Sequence, residues 1–102
     1  MSVVITLRVA GDASKLEEFA AANPELLPRV AEIGRASGAL KHQFYASEDG
    51  KEVLVIDEWS SKVAFDTFFK SVPEIENIIG SVAKGEPSVA FWTKLELGDT
   101  VD

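Results

Sequence analysis

The 102-residue chain has no cysteine. That absence excludes a disulfide scaffold, a thiolate metal site and a cysteine nucleophile, and it fits a reducing compartment. Histidine occurs once, as His42, so no His-x-x-x-His or related ligand spacing exists and no metal site is expected. Clusters of Lys or Arg are missing too, and 10 basic residues against 17 acidic ones give a net charge of −7. A surface of that sign repels phosphate backbones, so no nucleic acid partner is expected. Long apolar runs are absent: the opening "MSVVITLRVAG" is broken by Arg8. It is too short for a signal core or a membrane span, so no membrane association is expected and the chain is read as cytoplasmic. The seven glycines are scattered at turns and helix ends, which leaves no Gly-rich phosphate loop, and the serines lack a nucleophile-elbow context.

What remains is an ordinary globular balance, 46% hydrophobic and 26% charged. A chain of this length buries roughly two-thirds of its unfolded surface, enough for one core without staples. Residues 1–102 therefore read as one domain, with the tail 98–102 frayed. No repeats, linkers or low-complexity stretches interrupt it.

"VVITLRV" is β-branched and alternating, with Val3, Ile5, Leu7 and Val9 on one face and Val4, Thr6 and Arg8 on the other. Ser14 and Glu17 then match a capping box, and Leu16, Phe19 and Ala20 recur at helical spacing. Asn23 and Pro24 suit an N-cap and first helical position, with Pro28 a bend one turn in and Gly38 a stop. Residues 40–59 read as a hairpin around "EDG". An even turn groups Lys41, Gln43 and Tyr45 with Leu54, Ile56 and Glu58. It leaves His42, Phe44, Val55, Asp57 and Trp59 on the opposite face, and Lys41 opposite Glu58 supports that register. A one-residue bulge would reverse the grouping, so which sheet face His42 and Trp59 occupy stays open. Ser60 or Ser61 caps a helix carrying Phe65, Phe68 and Phe69. Pro73 starts a further helical stretch, and "SVAFWTKLEL" alternates as a last strand.

The order β, α, β, β, α, β predicts an α+β, ferredoxin-like βαββαβ domain with an antiparallel sheet and helices on one face. The other face still carries Val4, Ile56 or Val55, Phe44 or Tyr45, and Trp92, too apolar for water. A second copy is the simplest cover, so a homodimer is expected.

On "VVITLRV", "HQFYASEDGKEVLVIDEW" and the aromatic helix "SSKVAFDTFFKS" directly after Trp59, the chain resembles the dimeric α+β barrel superfamily, specifically antibiotic-biosynthesis-monooxygenase-like domains. The resemblance covers nearly the whole chain. It implies two ferredoxin-like sheets packed face to face, a cavity in each subunit, and in some members oxygenation of polycyclic or quinol-type substrates by O₂ without a cofactor. The haem-degrading branch relies on an Asn of the first strand, a Trp after the third strand and a His on the following helix. Trp59 matches, but residues 3–9 contain no Asn and residues 60–84 no His. Haem is therefore not expected, and neither is a metal or flavin.

The candidate catalytic pair is His42 and Asp57. Histidine titrates near neutrality, and a carboxylate on the adjacent strand would orient its ring for proton transfer to or from a phenol. The alternative is a half-exposed histidine paired across the hairpin with no chemistry. Trp59, Phe44 and Trp92 are candidate walls for a flat aromatic ligand, or else core and interface. Arg8 would bind an anionic substituent of the ligand, or an acidic neighbour. Phe65, Phe68 and Phe69 read as core. His42, Asp57 and Trp59 are expected to turn together into the space between the paired sheets. Two functions fit: a cofactor-independent monooxygenase for a small aromatic or quinol-type substrate, with its cavity between sheet and helices, and a non-catalytic barrel that binds a small hydrophobic ligand or serves a structural role.

Overall fold

The computed structural model describes residues 2–101; Met1 and Asp102, the ends of the expected domain and tail, lie outside the described residues. The elements are β1 Val3–Ala10, α1 Ala13–Ala22, α2 Leu26–Ser37, β2 Ala39–Ala46, β3 Glu52–Trp59, α3 Lys62–Ser71, α4 Glu74–Gly80 and β4 Ser88–Trp92. The four strands form one antiparallel sheet in the order β2-β3-β1-β4. This is the ferredoxin-like α+β plan, with each helical region split into two helices.

The splits have local causes. Asp12, not Ser14, caps α1: its Oδ1 accepts from the Ser14 backbone N–H at 3.0 Å and from the Ser14 hydroxyl at 2.8 Å. A short carboxylate two residues ahead competes better for the free N–H groups than the expected Ser14–Glu17 box. Asn23 ends α1 instead of starting α2, because its side-chain amide donates back to the Phe19 carbonyl at 2.9 Å. The second helix then starts at Leu26. Pro28 falls inside its first turn, where its missing N–H costs nothing. Gly11 is required at the end of β1, since a Cβ there would lie 1.8 Å from the Val82 carbonyl oxygen.

The last strand stops at Trp92, short of the expected Leu97. Among the described residues its only neighbour is β1, and Trp92 already pairs with Val4, one residue from where β1 begins. Beyond that point no strand remains to receive its hydrogen bonds.

Alternation decides the faces. Ile5, Leu7, Val9, Val53, Val55 and Trp59 point to the helices and are buried. Tyr45 and Trp92 remain exposed on the other face, and Val4, Leu54 and Ile56 there are only half-buried. The core has two parts. A larger cluster runs from Leu7 and Val9 to Val30, Ile78 and Val82, and a smaller one joins Ile5, Trp59 and Phe65. Phe68 packs against both. Among the described residues, no helix is long and apolar enough to cross a membrane.

Candidate active site

The hairpin register is the even one. Lys41 pairs with Glu58, His42 with Asp57 and Phe44 with Val55. A bulge does occur, between Ala39 and Lys41, but it precedes His42 and leaves the face of the site intact. Glu58 accepts a hydrogen bond from the Ser2 hydroxyl at 2.8 Å.

His42 and Asp57 therefore stand side by side on neighbouring strands. His42 Nδ1 lies 2.6 Å from Asp57 Oδ1. The second carboxylate oxygen, Oδ2, accepts from Trp59 Nε1 at 3.2 Å. A carboxylate can only accept, so Nδ1 carries the proton and the lone pair of the neutral ring sits on Nε2. Asp57 is thus held at both oxygens and in turn fixes the imidazole. The Phe44 ring meets His42 edge-on, with centroids 4.8 Å apart and planes at 87°. Trp59 is 1% exposed and rests on Phe65 and Phe68, at centroid distances of 5.7 and 4.9 Å.

These side chains line a cavity of about 480 Å³ between the sheet and the helices. That volume lies in the range of sites enclosing drug-sized ligands. One side is the sheet, through Ile5, Leu7, Phe44, Val55 and Trp59; the other is α2, α3 and α4, through Val30, Phe68, Ile78 and Ile79. The wall is mostly apolar, and its charged or titratable members are Arg35, Lys41, His42 and Asp57. The His42 side chain is 41% exposed against 15% for Asp57, so the imidazole sits at the opening and the carboxylate behind it.

The structure thus brings His42, Asp57, Trp59 and Phe44 to one place, on the helix side of the sheet. The expectation that the first three would face the space between two sheets is corrected: odd positions of β3 share the side of the buried Ile5, Leu7 and Val9. Arg8 and Trp92 do not join them. Both occupy the alternate positions of β1 and β4, on the face away from the helices. Arg8 Nε bonds Glu52 Oε1 at 2.5 Å, and that bond holds the Glu52 carboxyl below its ordinary range. Trp92 Nε1 donates to Thr6 Oγ1 at 2.8 Å. The sequence reading of Phe65 and Phe68 as core was incomplete, since both pack the core and wall the cavity. It also missed the contribution of α2 and α4. Their apolar stripes were legible, but a stripe does not reveal that part of a helix face lines a cavity instead of packing closed. Among the described residues, no group of three or more His, Asp or Glu comes together to hold a metal.

No protein-family model and no curated protein matches the chain. Solved structures do. A monooxygenase from the gene ActVA-Orf6 of Streptomyces coelicolor, in complex with the ligand nanaomycin D, superposes with a TM-score of 0.65 at 25% identity over 93% of this chain and 87% of that one. SnoaB, a cofactor-independent oxygenase from Streptomyces nogalater, gives a TM-score of 0.68 at 14% identity, covering 97% and 98% of the two chains. A dimeric ferredoxin-like protein from an uncultured marine organism gives 0.66 at 13% identity, covering 94% and 91%. Taken with the strand order and the paired helical regions, these likenesses show that the chain has the ferredoxin-like α+β fold shared by antibiotic-biosynthesis-monooxygenase-like proteins of the dimeric α+β barrel superfamily.

Proposed function

We propose that the protein is a cofactor-independent monooxygenase that oxidises a planar phenol or quinol with O₂ in the cavity between sheet and helices. The observation that carries this reading is the Trp59–Asp57–His42 chain of hydrogen bonds, which ends in an imidazole at the mouth of an apolar pocket. A base so placed takes the phenolic proton on Nε2, and the aromatic walls hold the ring. The phenolate passes one electron to O₂, and the ring radical and superoxide combine at a ring carbon. His42 returns its proton to the peroxide. Loss of the ring proton then cleaves the O–O bond, expels hydroxide and leaves a carbonyl. The balance is phenol plus O₂ giving quinone plus water, so the substrate supplies the hydrogens and electrons that make the water. Neither a cofactor nor an external reductant is needed. The likeness to an oxygenase described as cofactor-independent supports the same reading.

The test is aerobic incubation of metal-stripped protein with 1-naphthol and 1,4-dihydroxynaphthalene in an oxygen electrode cell. One O₂ consumed per quinone formed, at a rate above the protein-free control, is expected. A second reading is a ligand-binding barrel without turnover. It is favoured by the mostly apolar wall, in which His42 and Asp57 are the hydrogen-bonded acid–base pair among the described residues and Lys41 and Arg35 are the other charged groups. Saturable binding of these compounds with no O₂ uptake would select it. Failure of both measurements would sink both.

We further propose that two copies pack through the sheet face opposite the helices. Tyr45 and Trp92 are 51% and 54% exposed there, beside the half-buried Ile56 and Leu54. One of the solved structures sharing the fold is a dimer.

A further inference from the structure

α2 carries a glycine in its interior, on its buried face. Gly34 follows Val30 by four residues and lines the cavity. Glycine at such a position weakens a helix relative to alanine, because its backbone has more freedom to lose. A positive φ or a close approach of backbone usually explains it. Neither applies here. The glycines with positive φ are Gly11, Gly38, Gly50 and Gly98. A Cβ built on Gly34 would meet Phe68 Cζ at 3.5 Å, Phe68 Cε1 at 3.6 Å and the Ala39 Cβ at 3.7 Å, all ordinary van der Waals separations. The fold therefore has room for a methyl group, and the helix forgoes it.

What the methyl would take is cavity space, at a definite place. Ala39 is the register partner of Trp59 on β3, and the Phe68 ring lies 4.9 Å from the Trp59 ring. Gly34 thus overlies the Trp59 end of the pocket, where Asp57 and His42 stand. We infer that Gly34 is a specificity-determining position, kept without a side chain so that a fused-ring substrate fits beside Trp59. The inference rests on the reading of this cavity as a substrate site and adds to it the residue that sets the size limit.

Gly34→Ala tests it, with phenol, 1-naphthol and 1,8-dihydroxyanthraquinone titrated calorimetrically into wild type and variant. The variant is expected to melt several degrees higher. It is expected to bind the three-ring probe about tenfold more weakly, the scale of one methyl group in an apolar pocket, with phenol within about twofold of wild type. A lower Tm overturns the inference, because the glycine would then serve packing. Equal affinity for the three-ring probe, or an equal loss for all three, overturns it as well. Wild type that binds none of the probes removes the proposed function itself, an outcome distinct from a wild type that binds and a variant that binds equally.

Discussion

Asp57 has two oxygens, and each has one partner: His42 on the neighbouring strand and Trp59 two residues along its own. The indole thereby acts as a positioning group for the carboxylate, which positions the imidazole. His42→Ala should lower O₂-dependent oxidation by about 10²-fold or more, the scale of a lost acid–base group, with the circular dichroism spectrum unchanged. Asp57→Asn should have a smaller effect in the same direction, because an amide still bonds Nδ1 but can stabilise the wrong tautomer. Full activity in His42→Ala would remove the base from the mechanism. Ligand entry is readable optically in a Trp92→Phe background, where Trp59 is the remaining tryptophan. Planar phenols should quench its emission, and unchanged emission at saturating ligand would mean that the indole lies out of reach.

The elements that hold this site are set by short polar caps. Ser61 Oγ accepts from the Ala64 backbone N–H at 3.1 Å and starts α3 at Lys62, three residues after Trp59. Ser61→Ala should cost about 1 kcal/mol, seen as a lower urea midpoint at constant m. Besides Glu52, two carboxylates make the ends of the elements sensitive to acid. Hydrogen bonds from Ser14 hold Asp12 below its ordinary value of 3.8, and the Lys51 backbone N–H and Ser47 hydroxyl do the same for Asp49 in the hairpin turn. A depressed folded-state value means that the charged form is favoured by folding. The contribution is therefore complete above about pH 4 and is lost as pH falls through the lower folded-state values. Asp12→Asn should flatten the part of the acid-unfolding curve below pH 4, and an unchanged slope there would assign the loss to other carboxylates.

At the scale of the whole molecule, the helices cover one sheet face and leave the other with Val4, Tyr45, Leu54, Ile56 and Trp92. Light scattering at micromolar concentration should return twice the 11.0 kDa chain mass. Ile56→Asp should shift that mass toward one chain, since a carboxylate would be buried without a partner at the interface. A wild-type protein that scatters as a monomer would refute the dimer. The site on the helix side would then have to be explained without it.

Much of this was legible in the linear chain, because it depends on periods and on local chemistry. Period-two alternation gave the strand faces, the "EDG" turn gave the hairpin, and an even turn grouped His42, Phe44, Asp57 and Trp59 on one face, a register that a bulge could have reversed. Local competition already escaped that reading: Asp12 displaced Ser14 as a cap, and Asn23 closed a helix instead of opening one. Three matters were decided only in three dimensions. Which face meets the helices follows from the summed burial of three strands, and that sum separated Arg8 and Trp92 from the site. The end of β4 follows from where β1 begins, a fact about a different segment. The cavity exists because residues of α2, α3 and α4 and of the sheet line a common space that their packing leaves unfilled. An apolar stripe records that a helix face is buried; it does not record how far away the opposing surface lies.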